Sequence, residues 1–293
     1  MNIGIIGLGL IGGSIGMAVH KKTEHIVFGR DIDENSVRTA LHKNAIDFVL
    51  NDDDFEKIDV VILAVFPHIA CEILTEILPK LSKGTIVCDI CGIKGNIISA
   101  FEKASVAFPE IKFVGTHPMA GREYSGVDYA VTTLFDSAFG IITPVCGDLE
   151  SAREIENLLC EIGFIGCVYA DSSRHDEMIA YTSQLAHIVS SCYIKNPLSQ
   201  NHVGFSAGSF QDMTRVARLN PDMWTELFMQ NTAPLASHVD LIVEKLSEFS
   251  VALKNADEKH IHQLLSEGTS AKEVADENFA AVTSKLLKVT SKN

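Results

Sequence analysis

One histidine in this sequence has the type and position that acid–base chemistry needs. His117 lies in the segment Gly115-Thr-His-Pro-Met-Ala-Gly121, in the loop predicted to follow a short strand at 112–115. A neutral imidazole can take a proton from an alcohol while hydride leaves the same carbon. His117 is therefore a candidate general base, and the alternative is a histidine that only binds the backbone at a strand end.

Further polar side chains lie in later segments that have helical periodicity. Ser183 and His187 are four residues apart, and Asp212 and Arg215 are three apart, so each pair shares one helix face. Arg215 can bind a carboxylate through two parallel hydrogen bonds, or form a local salt bridge to Asp212. Trp224, the only tryptophan, either walls a pocket or fills the core. His187 alone would equally fit a hydrogen-bonded core histidine.

The first 31 residues predict a strand, a glycine-rich turn, a helix and a second strand that ends in an acid. Gly7, Gly9 and Gly12 form G-x-G-x-x-G. These glycines permit a tight turn, the approach of a pyrophosphate and close helix packing. The first amides of the helix favour a phosphate. Asp31 follows nineteen residues after Gly12, where a carboxylate can bind the ribose hydroxyls.

This pattern predicts a dinucleotide cofactor. Asp31 would repel a 2′-phosphate, so NAD is favoured, but Arg30 beside it could receive that phosphate and leaves NADP open. The predicted cofactor contacts are Gly7, Leu8, Gly9, Leu10, Ile11, Gly12, Asp31, Ala64 and Val65.

Composition narrows the class of protein. The chain has 293 residues, which suggests two domains, and a net charge of −14, which argues against a nucleic-acid partner. No apolar run is long enough to predict a membrane span, and no metal-ligand pattern appears. Seven cysteines without an export signal predict reduced thiols in a cytoplasm. Cys88 and Cys91 form C-x-x-C, for which packing at a strand end is favoured over a redox pair.

Strand and helix signals alternate as far as residue 169, and helical periodicity continues from there to the end. The predicted fold class is α/β, with an N-terminal Rossmann doubly wound parallel sheet at 1–169 and an all-α helical domain at 170–293. In the second domain we predict one helix at 172–195, a short helix at 209–219, and a helix from Pro221 that Pro234 kinks or breaks. The apolar character of these helices predicts a dimer.

Taken together, these segments resemble the prephenate dehydrogenase family of tyrosine biosynthesis. The resemblance covers nearly the whole chain. It is carried by Gly7-Leu-Gly-Leu-Ile-Gly12 with Asp31, His117-Pro-Met-Ala-Gly121 with Glu123, Ser183-Gln-Leu-Ala-His187, and Phe210-Gln-Asp-Met-Thr-Arg215 with Trp224. It implies a Rossmann domain, a helical dimerisation domain, and oxidative decarboxylation of prephenate by NAD to 4-hydroxyphenylpyruvate.

The resemblance also implies residue roles. His117 would accept the proton of the ring C4 hydroxyl, and Arg215 would hold the ring carboxylate. The residues that would bind the substrate side chain or shape the pocket are Ser183, His187, Glu123, Asp212 and Trp224. Some members carry a serine near the catalytic histidine, whereas this chain has Cys91-Gly92, which could orient His117 only weakly.

Three other functions remain open on the sequence alone. Arogenate dehydrogenase, or an enzyme accepting both substrates, differs only in recognising an amine instead of a ketone. A hydroxy-acid dehydrogenase would need a lysine base, and Lys195, the only lysine between Arg174 and Lys245, lies at a predicted helix end. A non-catalytic NAD sensor would need the glycine turn but not His117 and Arg215.

Overall fold

A computed structural model describes residues 1–122 and 124–290, with side chains described as far as residue 281. The chain divides into two compact units, Met1–Asn231 and Thr232–Asn293. The first unit contains an eight-stranded sheet and its covering helices, and the second contains two long helices.

The sheet has the strand order β3-β2-β1-β4-β5-β6-β7-β8. Every neighbouring pair is parallel except β6 and β7, which are antiparallel. The strands are β1 Asn2–Ile6, β2 Ile26–Arg30, β3 Phe48–Val49, β4 Val60–Leu63, β5 Ile86–Asp89, β6 Lys112–Pro118, β7 Phe139–Pro144 and β8 Gly166–Tyr169.

Helices cover both faces of this sheet and then continue as a helical region. In the first unit they are α1 Leu10–Lys22, α2 Glu34–His42, α3 Pro67–Ile77, α4 Gly95–Ala107, α5 Leu149–Glu161, α6 Ser172–Ile179, α7 Leu185–Tyr193, α8 Gly208–Thr214 and α9 Pro221–Met229. The second unit contains α10 Thr232–Lys254 and α11 Glu258–Thr290. Short polar side chains cap several of these helices: Asp33 caps α2, Asp171 caps α6 and Asn220 caps α9.

Two hydrophobic cores lie on opposite faces of the sheet. In β4, Val60 and Ile62 belong to one core, and Val61 and Leu63 belong to the other. Successive side chains of a strand point to opposite faces, so an uninterrupted apolar strand fills both cores. The predicted Rossmann fold class is therefore confirmed, with a helical region after the sheet.

The sheet departs from the prediction in three details. His117 belongs to strand β6, not to the loop after it, because β6 continues beyond Gly115 by pairing with β7. That pairing is antiparallel, so the sheet is not wholly parallel. Strand β3 is only two residues long, which gives no recognisable alternation in the sequence.

The helical region also departs from the prediction. The helix predicted at 172–195 is interrupted by a π-helical turn at Ala180–Gln184, which contains Ser183. Helix α8 ends at Thr214, so Arg215 is its C-cap residue. Pro234 does not break a helix: α9 has already ended, and the proline lies in the first turn of α10, where no backbone donor is lost.

The C-x-x-C cysteines are packed in the core. Cys88 and Cys91 are buried free thiols, and burial raises the pKa of both, which suits packing and not redox exchange.

Within the described ranges, no helix combines the length and apolar character that crossing a membrane requires. The same residues contain no cluster of three or more His, Cys, Asp or Glu side chains able to hold a metal ion.

Candidate active site

The glycine turn between β1 and α1 has the shape of a phosphate site. Gly7 has a φ of +99°, which favours glycine, and a Cβ there would overlap the Ala64 carbonyl oxygen. A Cβ on Gly12 would overlap the Gly7 carbonyl oxygen, whereas one on Gly9 would meet nothing within 4 Å. Helix α1 has no side-chain cap at Gly9. Open space in front of uncapped helical amides fits the pyrophosphate of a dinucleotide.

The acid at the end of β2 is held against this turn. One carboxylate oxygen of Asp31 accepts a hydrogen bond from the Leu8 amide at 2.7 Å, and the other accepts from the Asp33 amide at 2.9 Å. Arg30 instead binds Asp52 at 3.1 Å and Glu76 at 3.3 Å. Two carboxylates therefore compete with a 2′-phosphate for Arg30, which favours NAD over NADP.

His117 is the first member of a buried hydrogen-bonded chain. Its Nδ1 lies 2.9 Å from Nε2 of His175, and Nδ1 of His175 lies 2.7 Å from Oδ1 of Asp176. The Asp176 carboxylate also accepts from the amides of Lys94 and Gly95, each at 2.8 Å. The chain thus runs from the end of β6, through α6, to the first turn of α4. His117 therefore has a hydrogen-bond partner in α6.

An ion pair fixes the loop that precedes α4. Lys94 Nζ donates to the Asp89 carboxylate, and both side chains are fully buried. Asp89 also accepts from the amide of Cys91 at 2.8 Å and from that of Thr116 at 3.2 Å. Since Thr116 precedes His117 in β6, this network holds the strand end that carries the imidazole.

The surroundings of His117 keep it neutral. Burial lowers its pKa well below the ordinary histidine value, and the electrostatic effects of His175 and of the Lys94 ammonium act in the same direction. A neutral imidazole with one nitrogen already bonded can accept a proton at the other nitrogen, as a general base requires.

A second cluster contains the residues predicted to bind substrate. His187 Nδ1 donates to the Ser183 carbonyl at 2.8 Å, and its ring lies 4.0 Å from that of Trp224, measured between centroids. Burial lowers the pKa of His187, and the nearby Arg215 charge lowers it further, against the effect of the Ser183 carbonyl. Ser183, His187 and Trp224 therefore lie together, and the charge of Arg215 is close enough to act on His187.

No contact with this second cluster is described for the remaining two predicted site residues. Asp212 is exposed on α8, three residues before Arg215. Glu123 lies outside the described residues.

Polar side chains connect the two clusters. The buried amide of Asn231 donates to the Asp176 carbonyl and to Gln184 Oε1, both at 2.8 Å. Gln184 in turn donates to the Leu227 carbonyl at 3.0 Å. Leu227 belongs to α9, which also carries Trp224. These hydrogen bonds therefore connect the helix of Trp224 to Asp176, the last member of the chain that begins at His117.

Sequence reasoning missed His175, Asp176, Lys94 and Asn231. Each is a polar residue whose importance comes from burial and from partners far along the chain. The one local signal was a histidine beside an acid in the first turns of a helix. That signal is common on exposed helices and does not indicate a partner in β6.

The fold and the site together define a class of protein. A Rossmann sheet with an open glycine turn, an acid at the end of β2 and a neutral histidine at a strand end belongs to an NAD-dependent oxidoreductase.

Comparison with known proteins identifies the family. The model "Prephenate dehydrogenase, nucleotide-binding domain" matches residues 15–164, and "Prephenate dehydrogenase, dimerization domain" matches residues 171–267. The chain belongs to the prephenate dehydrogenase family, as its motifs suggested.

Individual relatives agree with this assignment. Prephenate dehydrogenase of Lactococcus lactis is 28% identical over 287 residues, covering 93% of this chain and 77% of the relative. Prephenate dehydrogenase from A. aeolicus, solved with hydroxyphenyl propionate and NAD+, has a TM-score of 0.79 and 24% identity, covering 94% of this chain and 98% of that one. Arogenate dehydrogenase from Synechocystis has a TM-score of 0.78 and 23% identity, covering 94% and 100%. The two solved structures show the same fold.

Proposed function

We propose that this enzyme oxidises prephenate with NAD to 4-hydroxyphenylpyruvate and carbon dioxide in tyrosine biosynthesis. The observation that carries the proposal is the neutral His117 imidazole, bonded through Nδ1 to a buried partner at the end of β6. The name of the Lactococcus lactis relative supports the substrate.

His117 would remove the proton that makes hydride transfer possible. The proton of the ring C4 hydroxyl moves to His117 Nε2, and the C4 hydrogen leaves with its electron pair as hydride. The bound nicotinamide supplies the hydride acceptor. The ring ketone formed at C4 is a vinylogous β-keto acid, so the bond to the ring carboxylate breaks and its electron pair enters the ring. Carbon dioxide leaves, and the proton returns to the oxygen of the phenol.

The second cluster would bind the dianionic substrate. Arg215 holds the ring carboxylate, and Ser183 and His187 bind the pyruvyl side chain against the Trp224 wall. Asp212 and Glu123 shape the entrance. This assignment is supported by the proximity of Arg215 and Trp224 to His187. A cationic group is required here because the net charge of −14 opposes binding of a dianion.

Arogenate is the second candidate substrate. It differs from prephenate only in carrying an amine where prephenate has a ketone. The likeness to the Synechocystis arogenate dehydrogenase supports arogenate as a candidate, because that structure and the A. aeolicus prephenate dehydrogenase match this fold almost equally well.

The proposal extends to assembly and location. We infer a homodimer through the helical domain, supported by the matched dimerization domain and by exposed apolar side chains on α10. The acidic net charge disfavours a nucleic-acid partner. Seven free cysteines suit the reducing cytoplasm.

The test is NADH formation by purified protein offered prephenate and arogenate separately, each with NAD and with NADP. Turnover of prephenate with NAD is expected. Absence of turnover with all four pairs, from folded protein that still binds NAD, would favour another hydroxy acid or an NAD sensor.

The base is tested by His117→Asn. Loss of at least about 10²-fold in kcat is expected, with the Kd of NAD nearly unchanged, because the variant keeps the glycine turn and loses the proton acceptor. Stopped-flow or steady-state rates and NAD titration measure the two quantities. Turnover retained at the wild-type rate would show that another group is the base.

A further inference from the structure

The chain His117–His175–Asp176 assigns a direction to each of its hydrogen bonds. Asp176 receives the Lys94 amide on one oxygen and the Gly95 amide on the other, as an acceptor-only carboxylate does. His175 Nδ1 must therefore carry a hydrogen in order to bond to Asp176. In a neutral imidazole the other nitrogen then has a lone pair, so His175 Nε2 is an acceptor.

The same reasoning extends to His117. Since His175 Nε2 accepts, His117 Nδ1 must donate, and the hydrogen of a neutral His117 resides on Nδ1. The lone pair is then on Nε2. The opposite tautomer would set two lone pairs against each other at 2.9 Å, between Nδ1 of His117 and Nε2 of His175.

We propose that His175 and Asp176 are positioning residues that hold His117 in the tautomer with hydrogen on Nδ1, so that Nε2 accepts the substrate proton. This inference rests on the proposed function in one respect, because it assumes that His117 is the base. If His117 were not the base, the direction of these hydrogen bonds would have no catalytic role.

The surroundings of the chain favour this role over simple packing. His175 is fully buried, on α6, between a strand and a helix terminus. The amides of Lys94 and Gly95 bond to the Asp176 carboxylate, so the side chain cannot rotate without losing them. The Asn231 amide bonds to the backbone carbonyl of Asp176 and holds the main chain beside it. A carboxylate fixed in this way orients the neighbouring imidazole and stabilises the charge that develops when His117 takes a proton.

Two substitutions of His175 separate positioning from packing. In His175→Gln, the side-chain oxygen reaches the place of Nε2 and can still accept from His117 Nδ1. In His175→Phe, a ring of similar size offers no acceptor. We expect kcat to fall about 10²- to 10³-fold in His175→Phe and by less than about 10-fold in His175→Gln, with the Kd of NAD unchanged in both.

Asp176→Asn is expected to reverse the direction of both hydrogen bonds in the chain. An amide group can donate to His175 Nδ1, which would move the hydrogen of His175 to Nε2 and that of His117 to Nε2. A catalytic histidine in the wrong tautomer loses up to about 10⁴-fold in kcat. The matched control is His25→Gln, which removes a histidine bonded to Glu161 at 3.2 Å, away from the site, and should leave kcat unchanged.

The deciding measurement is the ¹⁵N NMR spectrum of histidine-labelled enzyme without substrate, assigned by comparison with His117→Asn. Wild type and His175→Gln should show His117 protonated on Nδ1 only, and His175→Phe should show a mixture of tautomers. A wild-type His117 protonated on Nε2, or a His175→Phe variant with unchanged tautomer and kcat, would overturn the proposal.

This design separates the inference from the proposed function. If no substrate is turned over but His117 shows the expected tautomer, the function fails and the ordered chain remains. If prephenate is oxidised but the tautomer differs, the function stands and the positioning role fails. Should His175→Phe not fold, the wild-type spectrum alone decides the tautomer.

Discussion

At the scale of the residue, the pKa of His117 determines the pH range in which the enzyme is active. Its imidazole is a base only while deprotonated, so activity falls as the pH drops through its pKa. Burial holds that pKa well below the ordinary value of 6.5. The residue is therefore ready to accept a proton at neutral pH without help from a stronger base.

The pH profile tests this statement. Because the folded pKa is lowered, the acid limb of kcat/KM should lie below pH 6.5, and the same limb should persist in His187→Asn. Initial rates across a pH series measure it in both proteins. An acid limb at or above the ordinary histidine value would contradict a partly buried, neutral base.

Arg215 makes the second prediction at this scale. Arg215→Gln removes the cation proposed to bind the ring carboxylate, so KM for prephenate should rise at least about 10-fold while KM for NAD changes little. Arg218→Gln, which removes an exposed cation three residues further on, is the matched control. Equal changes for substrate and cofactor would instead indicate a structural role for Arg215.

At the scale of the element, the glycine turn separates folding from binding. A Cβ on Gly9 meets open space, whereas a Cβ on Gly12 overlaps the Gly7 carbonyl. We expect Gly9→Ala to keep its Tm and to weaken NAD binding about 10-fold or more, because the methyl group occupies the approach of the pyrophosphate. Gly12→Ala should lower the Tm as well. Thermal melts and NAD titrations measure both; a destabilised Gly9→Ala would show that this glycine also serves the fold.

Elements were predictable where their signals were local. Asp33 and Asn220 cap α2 and α9, and their residue types indicate a helix start by themselves, because a cap acts within a few residues. The extent of β6 was not predictable, because Thr116 to Pro118 join the sheet by pairing with β7, more than twenty residues later. The π turn at Ala180–Gln184 likewise has no signal in the helical periodicity of the sequence.

In the candidate site, too, only the residues with a local sequence signal were predictable. His117 and the glycine turn were found because the residue types and spacing are informative by themselves. His175 and Asp176 were not, because their meaning arises only when α6 lies between β6 and α4. A single sequence contains no measure of such a three-element contact.

At the scale of the whole molecule, α10 supports the proposed dimer. Val243, Leu246 and Leu253 recur at helical spacing and are 54%, 60% and 64% exposed in the single chain. Apolar side chains of this number on one helix face usually pack against another surface. The match to a dimerization domain is consistent with that surface being a second copy.

Leu246→Glu combined with Leu253→Glu should therefore yield a monomer in sedimentation, because two charges cannot be buried unpaired at an interface. Ser237→Glu, which adds charge at an exposed position on another side of the same helix, is the control and should remain dimeric. A double variant that sediments like wild type would place the interface elsewhere.

Asp176 has an evolutionary consequence. Its carboxylate both begins α4 and orders the imidazoles, and its own carbonyl receives Asn231. A lineage cannot exchange this acid for another residue in one step without losing a helix terminus and a working base together. Substitutions at 176 should therefore appear in descendants only together with a change at 175, while exposed positions of the same helix drift independently. Strong epistasis between these two positions is the signature we would look for in diverging relatives.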